Sequence, residues 1–140
     1  MESIMKGITT YLIFNGNCGE AMKFYAKCLD AKLDLMRFSD APMDSPKEAK
    51  DRIMHAHLQR GSSAIMASDT MPGMPHQDGN NFSIAIGCET VPEIDKLFAA
   101  LSEKGKVTMP LQETFWAPRF GMLTDQFGIN WMLNLEQQQK

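Results

Sequence analysis

"QETFWAPRFGMLTDQFGINWMLNL", residues 112–135, joins a polar and aromatic run to an apolar strand through an Asp-x-x-Gly turn at Asp125 to Gly128. The alternation after the turn decides the fold class. Ile129, Trp131, Leu133 and Leu135 are uniformly apolar, as one face of a strand packed beneath helices should be, and Asn130, Met132 and Asn134 project to the other side. The strands expected here are 106–112, 116–124 and 129–135. Ahead of them, "NFSIAIGCE" at 81–89 reads as a strand. Thr90 and Glu93 then form a capping box that opens a helix with the apolar stripe Val91, Ile94, Leu97, Phe98 and Leu101 and its stop at Gly105.

The same order occurs earlier in the chain. "ITTYLIF" at 8–14 is a strand, and "NGNC" turns into a helix with Asn17 as N-cap, Glu20 at N3, and a stripe of Cys18, Ala21, Met22, Tyr25, Cys28 and Leu29. "KLDLMRF" at 32–38 reads as a strand. The polar stretch after it reads as a mobile loop in which Ser45 and Pro46 start one short helical turn. "MHAHLQRGSSAIMASD" at 54–69 gives two strands about a tight turn at Arg60 to Ser62, and 70–80 is loop by its Pro and Gly content. A shift of 73 residues superposes Glu20 on Glu93, Lys23 on Lys96 and Ala26 on Ala99. The expected architecture is therefore α+β, two βαβββ modules over about 5–75 and 80–137 within one domain.

Composition narrows the function classes. A chain of 140 residues with 44% hydrophobic and 22% charged residues can bury one ordinary core. Its net charge of -3, with no dense Lys/Arg cluster, removes the counterion-release term behind most nucleic-acid affinity. Nucleic acid and membrane are not expected partners: no window has the apolar length to cross a bilayer, and no cleavable leader is read at the N-terminus. A cytoplasmic protein is expected. Three cysteines, Cys18, Cys28 and Cys88, lack Cys-x-x-Cys spacing and read as small buried hydrophobes. The twelve methionines suit an irregular core or an adaptable pocket.

A duplicated βαβββ unit with Phe24-Tyr25 on its first helix and an Asp-x-x-Gly turn before its last strand resembles the vicinal oxygen chelate superfamily of glyoxalases, bleomycin-resistance proteins and extradiol dioxygenases. "GITTYLIFNGNCGEAMKFY", "MHAHLQRGSSAIMASDTMP" and "ETFWAPRFGMLTDQFGINWML" together look like its PhnB-like branch. The resemblance implies a curved mixed sheet or partial barrel around a cavity between the modules, helices outside, and a homodimer. It also implies where a divalent ion would be held, by His and Glu on inward-facing strands. Those slots fall here on Met132, on Thr9 or Thr10, on Phe82 or Ser83, and on Met66 or Ser68. Hard or borderline ions favour oxygen and imidazole over thioether, so no metal is expected. No cofactor is expected either: the methyltransferase label attached to some relatives finds no glycine-rich strand-to-helix loop with a downstream acidic residue.

Several residues remain candidates for a small-molecule site. On the strand at 54, Met54, Ala56 and Leu58 suit helix packing, which sends His55, His57 and Gln59 to the same side as Asn130. The pair His55 and His57 is either a hydrogen-bonded or solvated pair, or a new metal site with Glu113 or Asp69. The expected ligand-binding set is Tyr11, His55, His57, Ser68, Asp69, Gln112, Trp116, Asn130 and Met132, with Glu113 a catalytic base if burial raises its pKa. Structural alternatives stand beside these: Trp116 and Phe120 as core, Asp69 as a turn acceptor, and Gln112, Glu113 and Arg119 as a salt-bridged hairpin rim. The reading is metal-independent binding of a small molecule. Its rivals are a divalent-metal isomerase, lyase or dioxygenase and a drug-sequestering resistance protein.

Overall fold

The structure, a computed structural model, describes residues 5–42 and 44–136. Residue 137, where the second module was expected to end, lies outside them. The chain divides into two compact units, one ending at His76 and the other beginning at Gln77. The first carries β1 (Thr10–Phe14), α1 (Cys18–Leu29), β2 (Lys32–Arg37), β3 (Ile53–Arg60) and β4 (Ser63–Asp69), with short 3-10 turns at Phe38–Asp40 and Lys47–Ala49. The second carries β5 (Ile84–Cys88), α2 (Val91–Leu101), β6 (Lys106–Gln112), β7 (Arg119–Thr124) and β8 (Asn130–Leu135). Both are βαβββ, and both sheets are open and mixed. Their strand orders are β1-β4-β3-β2 and β5-β8-β7-β6, with β1/β4 and β5/β8 parallel and the other pairs antiparallel.

Each helix covers one face of its own sheet. In the first unit the stripe Cys18, Ala21, Met22, Tyr25 and Cys28 is buried, and so are Leu12, Phe14, Ala56, Leu58, Ile65 and Ala67 on the strands beneath it. In the second, Ile94, Leu97, Phe98 and Leu101 are buried, as are Leu123, Trp131, Leu133 and Leu135. A fully buried side chain of this size contributes roughly 1.5–3 kcal/mol relative to exposure. The period-2 pattern of β8 is realised as read, with Trp131, Leu133 and Leu135 buried and Asn130, Met132 and Asn134 half-buried on the opposite face. All three cysteines are buried and none is in a disulfide.

Local details depart from the sequence reading. Asn17 is the N-cap of α1, but its side chain makes no cap bond; the Asp69 carboxylate accepts the Gly16 and Cys18 N–H groups at 2.8 and 2.9 Å instead. Thr90 does cap α2, accepting from the Glu93 N–H at 3.3 Å. Val91 is exposed and Leu29 only half-buried, because each lies at a helix end. Gly105 is not the left-handed residue after α2; Lys104 is, at φ 58°. Gly105 is needed for a different reason: a Cβ there would lie 2.5 Å from the Thr124 carbonyl oxygen. β3 begins at Ile53 and bulges, since Met36 faces His55 and Arg37 faces Ile53. The bulge makes Met54 the extra residue and gives its expected helix-facing place to Ile53, which is buried. Residues 116–118 are not strand, because Thr114 to Ala117 closes a turn with Thr114 N–H on the Ala117 carbonyl at 3.0 Å.

Candidate functional site: the helix-free sheet faces

Each sheet has one face that its own helix leaves uncovered. In the first unit the cross-strand register places Tyr11, Met66, His57 and Asp34 in one row, and sets Ile13 beside Ser68 and Met36 beside His55 in the next. Tyr11 Oη lies 3.3 Å from His55 Nδ1, with the two rings 5.9 Å apart. Four of the expected site residues, Tyr11, His55, His57 and Ser68, therefore share this face. Alternation puts them there, since Leu12, Ala56, Leu58 and Ala67 take the buried side.

Asp69 does not join them. It is 6% exposed, on the helix side of β4. Besides its two bonds to the turn before α1, it accepts the Ile53 N–H at 2.9 Å. Three backbone donors occupy the carboxylate, which is the turn-acceptor role rather than a ligand contact. Beside it, Arg52 donates to the Thr70 carbonyl at 2.9 Å and to Asn15 Oδ1 at 3.2 Å, tying the turn before α1 to the residue after β4. Burial and the Asp69 charge push the Cys18 thiol up from 9.0 to about 12, so it stays protonated at neutral pH and is a packing group.

In the second unit one row runs Gly87, Asn134, Phe120, Gln112 and the next Ala85, Met132, Met122, Met109. Trp116, half-exposed, meets the Phe120 ring edge-on at 5.4 Å, and the exposed Phe115 meets Trp116 at 4.8 Å. Gln112, Trp116, Asn130 and Met132 thus belong to this face. Asn130 is held by the fold: its Oδ1 accepts from Thr124 Oγ1 at 2.6 Å and its Nδ2 donates to the Phe82 carbonyl at 3.4 Å. Asn134 differs. Its Oδ1 is buried and, among the described residues, has no hydrogen-bond partner. Leaving such an acceptor unsatisfied costs about 1–3 kcal/mol.

The charged rim is not assembled. Glu113 is exposed, without the burial that the base reading requires. Arg119 turns to α2, where its Nη2 lies 2.7 Å from Asp95 Oδ1. Among the described residues Arg119 pairs with Asp95, not with Glu113. A pocket of about 150 Å³ in the loop between β2 and β3 is lined by Phe38, Ser39, Asp44, Ser45 and Lys50, none of them a site candidate.

The Asp-x-x-Gly turn at Asp125 to Gly128 is held from within. Asp125, 4% exposed, accepts from the Phe127 and Ile129 N–H groups at 2.8 and 3.1 Å and from Trp131 Nε1 at 2.8 Å. Gly128 closes the turn at φ 87°. The carboxylate is spent on the turn and the core indole. Among the described residues no three His, Cys, Asp or Glu side chains gather as a metal-holding group. His55 and His57 share a face, but Asp69 lies on the opposite one. Besides the imidazoles of His55 and His57 and the carboxylates of Asp34 and Glu136, the donors on the two faces are thioether, hydroxyl and amide, and Met132, Met66 and Ser68 offer no carboxylate at the slots the resemblance implies.

Comparison with known proteins gives the chain its family. The family model described as 3-demethylubiquinone-9 3-methyltransferase matches residues 6–134. The chain belongs to this PhnB-like family. A protein of Pseudomonas aeruginosa, PA1353, is 47% identical, with a TM-score of 0.87 over 96% of this chain and 100% of that one. Protein YjdN of Escherichia coli K12 is 37% identical over 94% of this chain and 97% of its own length. The PhnB protein of Bacillus cereus is 29% identical, with a TM-score of 0.77 over 94% and 100% of the two chains. The fold extends further, to a glyoxylase/bleomycin resistance/dioxygenase domain of Frankia at 18% identity and a TM-score of 0.67, covering 96% and 100%. PhnB-like membership thus agrees with the resemblance read from the sequence.

Sequence reasoning passed over Asn134 as a site residue and Arg52 altogether. A register count separates Asn134 from Asn130 only once the partners of each are known. Arg52 carried no signal, because its partners lie 37 and 18 positions away.

Proposed function

We propose that this PhnB-like chain binds a small organic molecule at the helix-free sheet faces and does so without a divalent ion. The observation that carries the reading is the chemistry of those faces. Where metal-using relatives would carry a carboxylate, β8 offers Met132, set between Ala85 and Met122, and β4 offers Met66 and Ser68. Thioethers, aromatic rings and a few placed polar groups make a wall suited to an organic ligand. The contact residues of this reading are Tyr11, His55, His57 and Ser68 in the first unit and Gln112, Trp116, Asn134 and Met132 in the second. Asn130 serves as their support.

Methyl transfer, the activity in the family description, is not the reading we favour. Each sheet has a single parallel strand pair, whereas the common adenosyl-cofactor scaffold is a doubly wound parallel sheet. Placement in the cytoplasm is also proposed; its support is that no helix of the described residues is long and apolar enough to cross a membrane and that none of the three cysteines is in a disulfide. Pairing into a homodimer is proposed because Ile8 and Phe115 are 89% and 96% exposed. Light scattering on the eluting peak should then give twice the 15.7 kDa chain mass; a mass of one chain at micromolar concentration would reject pairing.

The functional test is a thermal-stability screen against a metabolite and drug-fragment library, run with and without EDTA. Binding at 100 times Kd stabilises by about 2.7 kcal/mol. Ligands that protect equally with the chelator are expected; protection that vanishes with chelator and returns with a divalent ion would mean the metal-dependent enzyme instead.

A further inference from the structure

The helix-free face of the second unit has three kinds of surface in a fixed order. Met132, Met122 and Met109 form one cross-strand row. Phe120 stands in the next row under Trp116, with their ring centroids 5.4 Å apart and nearly perpendicular. Asn134 sits directly opposite Phe120 on the neighbouring strand. Its Oδ1 is buried and without a partner among the described residues. Glu136, two residues on, carries its carboxylate across Gly87, at the place a Cβ there would occupy. Gly87 is the other cross-strand neighbour of Asn134. Two hydrogen-bond acceptors therefore flank one end of an aromatic and thioether surface. Asn130 cannot play the same part, because both ends of its amide are engaged.

The chemistry of a partner follows from these three surfaces. Thioethers and ring edges favour a flat, polarizable ring system. A buried acceptor demands a donor, and an ester, ether or hydrocarbon edge has none to give. We infer that the second unit binds a planar aromatic molecule carrying an N–H or O–H donor at one edge, seated against Trp116 and Phe120 with its donor on Asn134 Oδ1. The inference rests on the proposed function and names a chemical class for that face.

Three probes separate its parts in calorimetry and in ¹H–¹⁵N chemical-shift titrations of the full chain: 2-naphthol, 2-methoxynaphthalene and decahydro-2-naphthol. The first is planar with a donor, the second planar without one, and the third keeps the hydroxyl but is not planar. Expected is the tightest binding for 2-naphthol, with shifts at Phe120, Asn134 and Trp116, and about tenfold weaker binding for each of the others. Asn134→Leu should erase the advantage over 2-methoxynaphthalene, and Trp116→Ala the advantage over decahydro-2-naphthol. Equal affinity for 2-naphthol and either analogue in the unaltered chain overturns the inference. So does a 2-naphthol site whose shifts avoid β7 and β8. If none of the three binds while library compounds protect the protein, the aromatic-donor class is wrong and the proposed function stands; if the library is silent as well, both fall.

Discussion

Replacing Asp125 by Asn should destabilise the chain by about 3 kcal/mol, because its carboxylate accepts two turn N–H groups and the buried indole N–H of Trp131. Urea denaturation reads this directly, and a change below 0.5 kcal/mol would deny the carboxylate its structural role (an order-of-magnitude limit for sites without such partners). The two asparagines of β8 should behave oppositely. Asn130→Leu breaks a satisfied network and is expected to cost about 1–2 kcal/mol, whereas Asn134→Leu removes an unsatisfied buried acceptor and should be neutral or stabilising by about 1 kcal/mol. Cys18 adds a pH dependence. Its folded thiol titrates near 12 against 9.0 unfolded, so its contribution is complete below pH 9.0 and is lost as pH rises toward 12. The slope is about 1.4 kcal/mol per pH unit, and the unfolding free energy of Cys18→Ala should lack that part of the decline. At this scale residue type was readable and residue role was not: Asp69, Asp125 and Glu113 are equally acidic in sequence, and only their partners or exposure separate two backbone acceptors from a solvated side chain.

Elements were the most legible level. Both helices follow from their apolar stripes, and both hairpin strands of the first unit follow from the turn at Gly61, whose φ of 58° opens a two-residue connection. What failed was local and had remote causes. The box expected at Asn17 is replaced by the Asp69 carboxylate, 51 positions from Cys18, which no window of sequence could reveal. The bulge at Met54 moves Ile53 into the core, and alternation counted from Met54 alone misplaces the first residue of β3. Thr90, by contrast, caps from within its own turn, so Thr90→Ala should cost about 1 kcal/mol in thermal denaturation. Gly121→Ala tests the packing of α2 on its sheet. A Cβ there would lie 2.7 Å from the Phe98 ring and 2.9 Å from Leu111, and overpacking of that kind costs about 1–3 kcal/mol. An unchanged midpoint would show that α2 is not seated there as described.

Across the whole molecule the duplication is explicit in topology, since both units repeat one strand order with a parallel outer pair. The repeat was visible in sequence through matched caps and stripes, although few residues are shared between halves; a helix stripe can be conserved in pattern while its side chains change. The same pattern held the key to the site, because period-2 alternation predicts which face a strand residue serves without any knowledge of its neighbours. It could not say which polar groups on that face are already committed to the fold, and that distinction set Asn134 apart from Asn130. The proposed metal-independent reading rests on thioether and hydroxyl groups, Met132, Met66 and Ser68, at slots where the resemblance implies a carboxylate. Elemental analysis of protein purified without chelators, from cells supplied with zinc, nickel, manganese and iron, tests this most directly. Substoichiometric traces of every metal are expected; one bound divalent ion per chain, lost together with ligand binding on chelation, would contradict it.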